Sequence, residues 1–243
     1  MELNSYDVEA RVQTHHWWFA VRRRLLRRLL HSLDIPQGLP AVDIGCGTGS
    51  NLRLLESEGL YNVVGLDRSL YALSLAKKKV NLTLVAGDTN DLPIRPNSIG
   101  LIIAMDILEH LEDDSKGIEE FHRGLKKGAM LLLTVPAFES LWGIQDVVTG
   151  HKRRYSRNEI LTKLKQGGFD VLRSSYFNFF LFFPILMARR AMRILGTKIK
   201  SENDLNFPLV NFFFKGVFSI ELYILKYFSF PFGVSIYCIA KKK

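Results

Sequence analysis

The stretch AVDIGCGTGSNLRLLE, residues 41–56, decides how this chain is read. The apolar run Ala41–Ile44 reads as a buried strand. It passes into a turn holding Gly45, Gly47 and Gly49, and a helical pattern over residues 51–58 follows. Glycines so spaced permit a tight turn and a close approach of the backbone to a ligand. No Lys-Ser or Lys-Thr pair follows, which removes the phosphate-binding P-loop. The spacing also departs from the dinucleotide fingerprint, because Ser50 and Leu52 stand where its third glycine would fall.

Outward from this point the same alternation repeats. Apolar runs at 62–66, 82–85, 99–104 and 130–135 read as buried strands, with helical patterns at 69–79 and 116–126 between them. Strand–helix alternation predicts an α/β fold with a doubly wound, mostly parallel sheet. Ligands of such sheets bind beyond the carboxyl ends of the strands, so functional residues should follow each strand directly. Asp67 ends the second strand, where a carboxylate can accept both hydroxyls of a ribose. Asp88 ends the third, where it can accept from an exocyclic adenine amine. With Asp43, three acids mark three successive strands.

In order and spacing, Asp43–Gly49, Asp67, Gly87-Asp88, Leu92-Pro93 and Asp106–Glu112 (DILEHLE) resemble the class I S-adenosylmethionine-dependent methyltransferases, over residues 41–176. The resemblance implies a Rossmann-like methyltransferase fold with S-adenosylmethionine as cofactor. It sets Gly45, Gly47 and Gly49 around the methionine part, Asp67 on the ribose and Asp88 near the adenine. Asp43, Cys46, Arg68, Thr89 and Met105 complete the expected cofactor set. One departure is Gly100, where many relatives carry an acid; that position starts a strand, away from the expected cofactor.

Methyl transfer from a sulfonium needs an in-line nucleophile, held close, with its proton removed. Asp106, Glu109 and His110 follow the fourth strand at a spacing that places them on one face of a helical turn. His151, opening HKRRY (151–155), follows the fifth strand and is expected at the same mouth. Three readings stand. Asp106 caps the helix and His110 packs beneath the cofactor; or His110 or His151 is a general base; or Asp106, Glu109, His110 and His151 hold a divalent cation. The last arrangement resembles the E-x-x-E-H site of small-RNA 2′-O-methyltransferases and quinone-biosynthesis O-methyltransferases. Its ligands suit Mg, Mn or Zn, and a cation there would lower the pKa of a bound hydroxyl.

The flanks carry the remaining signals. Residues 1–40 read as a helical cap: Val21, Leu25, Leu26, Leu29, Leu30 and Leu33 recur at helical spacing among Arg22, Arg23, Arg24, Arg27 and Arg28. That basic face is either solvated or a lipid or nucleic-acid contact. HHWWF (15–19) precedes the helix as a core anchor or substrate wall. No apolar leader opens the chain. The core is assigned to 41–176 and 234–243, with a helix at 157–166 and strands at 169–176 and 234–240. Residues 177–233 form an insertion. Of 17 phenylalanines, only Phe19, Phe121, Phe138 and Phe169 lie outside residues 177–232. The apolar run 179–188 is short of the ~20 residues that span a bilayer. Within 209–230, Asn211, Lys215, Ser219 and Lys226 share one helical sector, with Glu221 off to the side. Aromatic bulk with a basic stripe predicts a helix in a membrane interface that favours anionic lipid. A dimer interface and a helical cap are the alternatives. HHWWF, GHKRRY and the Phe-rich tail together resemble a bacterial and archaeal methyltransferase group often found beside glycan and lipid pathways.

Composition bounds the rest. With 243 residues, 47% hydrophobic, the chain can bury one full core, which excludes disordered, collagenous and disulfide-scaffold classes. Two cysteines, Cys46 and Cys238, suit a reducing cytosolic compartment. A net charge of +9 points to an anionic partner. The expectation is a cytoplasmic enzyme, peripheral at the inner face of the membrane, that O-methylates a lipid, polyprenol-linked glycan or quinone-like acceptor. An RNA 2′-O-methyltransferase is the nearest rival, disfavoured because no RNA-binding module is visible. A catalytically silent cofactor-binding partner subunit is a second, and a nicotinamide oxidoreductase a weaker third.

Overall fold

The computed structural model describes residues 3–36, 38–60, 62–195 and 208–243. Within these, seven strands form one sheet: β1 (Ala41–Ile44), β2 (Val63–Asp67), β3 (Thr83–Ala86), β4 (Ile99–Met105), β5 (Leu125–Pro136), β6 (Phe169–Phe177) and β7 (Ser235–Lys242). Their order is β3-β2-β1-β4-β5-β7-β6. β1 to β5 are mutually parallel, and β7 runs antiparallel to both β5 and β6. Every residue of β1 and β4 is buried, as central parallel strands covered on both faces require. Strand order reverses between β1 and β4, which opens a crevice at their carboxyl ends.

Helices cover the faces: α1 (Leu3–Val12), α2 (Trp17–Leu30), α3 (Ser50–Ser57), α4 (Leu70–Lys77), α5 (Asp114–Gly124), α6 (Ile144–Thr149), α7 (Arg157–Gln166), α8 (Phe182–Ile194) and α9 (Pro208–Ile224). α7 has its expected bounds because Ser156 and Glu159 form a capping box. α5 starts two residues before the expected position, since the Asp113 side chain caps it by accepting from the Lys116 amide. β5 starts at Leu125, five residues early, its first turn masked in sequence by exposed Lys126 and Lys127. α2 begins at Trp17, so the aromatic cluster is part of the helix and His16 is its N-cap, accepting from the Trp18 amide. Gly100 leaves no room for an acid: a Cβ there would sit 2.8 Å from Leu39 Cβ.

α8 and α9 stand between β6 and β7, with residues 196–207 of the insertion outside the described residues. Buried Glu221 of α9 ties the insertion together by accepting backbone N–H groups from Asn178, Phe179 and Phe180. Two members of the polar sector of α9, Asn211 and Ser219, face α2, while Lys226, beyond the helix, is exposed. Asn211 accepts from the Trp17 amide and donates to the His15 carbonyl, and Ser219 accepts from Arg24. Those free backbone groups at the start of α2 need partners, and α9 supplies them. Phe214 and Phe218 pack edge-on against Trp17 on the same side. Leu209, Phe212, Phe213, Ile220 and Tyr223 are consequently exposed, Leu209 by 84% and Phe212 by 80%. No described helix is long and apolar enough to cross a membrane.

Candidate active site

The crevice floor is the turn after β1. Gly45, Gly47 and Gly49 take φ values of +69°, +52° and +83°, where a side chain would be strained. A Cβ on Gly45 would fall 1.9 Å from Ile107 Cδ1, whereas at Gly47 the nearest heavy atom is Glu9 Oε1 at 3.7 Å. Gly47 is thus where the backbone lies open to a ligand. Asp67 accepts from the Gly47 amide (2.9 Å) and the Ser69 amide (2.8 Å). Asp43 is fully buried with no hydrogen bond to either carboxylate oxygen. Burial pushes its pKa to about 7, reinforced by Asp67 and opposed by nearby Asn51 and Arg22.

The other expected cofactor residues line the same edge. Asp88 is exposed and accepts from the Asn90 amide at 2.8 Å; Thr89 is half-buried beside it and Arg68 is exposed. Cys46 is buried, its thiol pushed well up by that burial, and Met105 is buried with its sulfur near Thr134. α1 closes the crevice from above. Gln13 accepts from Thr48 (2.9 Å), Tyr71 donates to Asp7 (2.6 Å), and burial pushes Glu9 up to about 7.

At the end of β4 the chain departs from expectation. Asp106 adopts φ +57°, and only residues 108–110 make a helical turn, of the 3-10 kind. Asp106 is not among the converging donor atoms, although its charge still acts on Glu109 and His110. Its carboxylate accepts from Thr134 Oγ1 (2.8 Å) and pairs with Arg22 at 2.9 Å. Glu109, His110 and His151 do converge, with one donor atom from each lying within 4.8 Å of the others. Glu109 is fully buried, neither carboxyl oxygen is hydrogen-bonded, and burial followed by the Asp106 charge holds its pKa well above the usual carboxylate range. Burial and then His151 push His110 down to about 4, which leaves it a neutral, weak base.

His151 is oriented by a residue that no sequence signal marked. Its Nδ1 lies 2.7 Å from Asp146 Oδ1, and Asp146 also binds Arg154 at 2.9 and 3.0 Å and the Gly143 amide at 2.7 Å. Burial opposes ionisation of Asp146, but His151, Arg154 and Arg189 outweigh it and hold the carboxyl well below its ordinary value. With its partner Asp146 ionised, Nδ1 is the nitrogen that donates, and Nε2 lies 3.9 Å from Glu109 Oε1. The rest of HKRRY is a clasp. Arg153 donates to the carbonyls of Leu111 (3.0 Å) and Glu112 (2.8 Å), Arg154 to that of Ala137 (2.9 Å), and Tyr155 to Asp114 (2.8 Å). Arg22 was likewise read only as part of a basic face; its contact with Trp18, 5.6 Å from the ring, turns it into the site.

These groups set a pH dependence. Asp43, Glu9 and Glu221 have folded pKa values of about 7, above those of an unfolded chain, with burial the largest cause in each. The folded state therefore binds more protons between roughly pH 4.5 and 7, and stability falls as pH rises through that window, by ~1.4 kcal/mol per unit for each excess proton. Asp146 acts oppositely but only at more acidic pH, and His110 and His16, both pushed down to about 4 by burial, offset part of the trend below about pH 6.5. Urea denaturation of the ligand-free protein is expected to show a higher midpoint at pH 5.5 than at pH 7.5. An unchanged or rising midpoint would refute these assignments.

Comparison with known proteins bears on this geometry. Residues 42–133 match the model of a methyltransferase domain family. The chain is 33% identical over 109 residues to 2-methyl-6-phytyl-1,4-hydroquinone methyltransferase 1 of Oryza sativa, covering 43% of this chain and 33% of that protein. It is 23% identical over 209 residues to the ubiquinone/menaquinone biosynthesis C-methyltransferase UbiE of Campylobacter jejuni, covering 72% and 88%. The chain thus spans a third of the first relative's length. Among solved structures, a chain from the complex of the Haloferax volcanii Trm112 methyltransferase activator with its methyltransferase partner superposes with a TM-score of 0.65. At 19% identity, over 97% of this chain and 96% of that one, it shares the fold.

Proposed function

We propose that this chain, whose residues 42–133 match a methyltransferase domain family, is a class I S-adenosylmethionine-dependent methyltransferase that methylates a hydroxyl of an oily, quinone-like or lipid-linked acceptor at a membrane surface. The observation that carries this reading is the Asp146–His151 pair in the segment that follows β5, where His151 meets Glu109 and His110 from the loop after β4. S-adenosylmethionine, when bound, supplies an electrophilic methyl group on a sulfonium. Gly47, whose backbone is open, and Asp67 are the residues that would hold it, with the buried Asp43 carboxyl beneath them adding a charge that suits a cationic ligand. His151 Nε2 takes the proton from the acceptor hydroxyl, and Asp146 stabilises the imidazolium that results. Asp106 and Arg22 position the loop instead of meeting the acceptor.

Hydrophobic surroundings support an oily acceptor. Phe138, strained at φ +53°, stacks on Tyr176 at 5.0 Å and meets Phe182 of α8 edge-on at the end of β5. The exposed apolar stripe of α9 and Phe183, Met187 and Ile194 of α8 form the kind of surface that marks an interaction site. Cationic Arg190 and Lys226 nearby suit an anionic bilayer. The test is vesicle flotation followed by transfer of labelled methyl to a ubiquinol- or menaquinol-type acceptor in the vesicles. Flotation and label on oxygen are expected. Label on ring carbon would refute O-methylation, and absence of flotation would refute the membrane surface.

A second reading rests on the unbonded oxygens of Glu109. Glu109, His110 and His151 offer a carboxylate and two imidazoles, with Asp146 behind His151 as an outer partner, an arrangement that fits a divalent cation. Bound there, a cation would lower the pKa of an acceptor hydroxyl. Asp106, engaged by Arg22, is not part of that set. Activity that survives exhaustive chelation would exclude it.

A further inference from the structure

A groove of about 490 Å³ runs between α1, α2 and α3, and its charged lining is entirely cationic: Arg23, Arg24, Arg27, Arg53 and Lys79. Only part of that charge is compensated. Arg27 pairs with Glu58 at 2.6 Å. Arg23 donates to neutral acceptors, the Gln13 carbonyl (2.6 Å) and Ser50 (3.0 Å), and Arg24 donates to Ser219. Lys79 has a buried ammonium with no hydrogen-bond partner. Its pKa is lowered by burial, against the opposing charge of Glu9, with Arg53 adding a smaller lowering. An ammonium buried without a hydrogen bond is costly, and Glu9 is set against a row of guanidinium groups whose charge a further anion would offset.

We propose that this groove binds the phosphate group of an anionic lipid headgroup. A tetrahedral dianion offers several oxygens to forked guanidinium donors and an ammonium, and the Ser50 hydroxyl, which accepts from Arg23, keeps its proton as a neutral donor. The lipid source follows from the neighbour: Arg24, one wall of the groove, is bonded to Ser219 of α9, the helix whose opposite face is the exposed apolar stripe. The groove would then set the protein's orientation on the bilayer. The choice of lipid over free phosphate rests on the membrane-surface reading and is independent of methyl transfer.

The experiment compares wild type, the groove variant Arg53→Glu/Lys79→Gln and the stripe variant Phe212→Ser/Phe213→Ser. Each is tested for binding to phosphatidylglycerol vesicles, phosphatidylcholine vesicles, inorganic pyrophosphate and a single-stranded RNA oligonucleotide. Wild type is expected to prefer phosphatidylglycerol, and the groove variant to lose roughly tenfold or more of that preference while keeping its phosphatidylcholine binding. The stripe variant should lose binding to both vesicles. A groove variant with an unchanged lipid preference overturns the proposal, with the membrane reading left standing. So does binding of pyrophosphate or RNA with no anionic-lipid preference. Failure of wild type to bind any vesicle would overturn both readings, a result distinguishable from the first.

Discussion

Replacing His151 by alanine is expected to lower kcat by roughly 10²–10⁴-fold, the range for loss of a positioned general base, with S-adenosylmethionine affinity unchanged. His151 makes no contact with the glycine turn. Its removal leaves Asp146 bound to Arg154 and the Gly143 amide, so the clasp that holds the 106–114 and 137–146 loops together survives. A retained melting temperature with a collapsed turnover is therefore the signature. Asp146→Asn should also depress kcat, because an amide no longer fixes the Nδ1–H tautomer or stabilises the imidazolium. Its effect on the fold should be larger, since Arg154 would lose its buried anion. Near-normal turnover in His151→Ala would remove the base from the mechanism.

The second large effect falls on cofactor affinity. Asp67→Ala removes the acceptor for the Gly47 and Ser69 amides and the carboxylate expected on the ribose. Hydrogen bonds to a charged group contribute about 1.5–3 kcal/mol each, so losing one weakens binding roughly 10- to 150-fold. The loss should sit in the KM for S-adenosylmethionine, with kcat largely recovered at saturation. Asp67→Asn, which keeps an acceptor oxygen but no charge, should fall between. An Asp67→Ala variant that binds the cofactor normally would detach this carboxylate from the site.

The sheet was legible in sequence because its central strands are continuous apolar runs and each ends in a residue that stands out. Asp43, the three glycines and Asp67 announce themselves by position. Legibility failed where contacts are long-range. Nothing in the ordinary helical run around Asp146 signals that it faces His151, because their meeting depends on the fold of the α6 loop. The spacing of Asp106, Glu109 and His110 suggested one helical face, but a single left-handed residue separated the first from the other two. In α9 the periodicity correctly gave two faces, yet hydrogen bonds from Asn211 and Ser219 to α2 decided which face turned inward.

Calorimetric titration of S-adenosylmethionine into the ligand-free protein tests the central claim most directly, that the acidic crevice between β1 and β4 receives a cationic adenosyl ligand. Saturable binding at one site is predicted, with proton release near pH 7 as Asp43 is driven toward its ionised form, visible as a heat that varies with buffer ionisation enthalpy. No heat with S-adenosylmethionine, or saturation by a nicotinamide dinucleotide in its place, would contradict it.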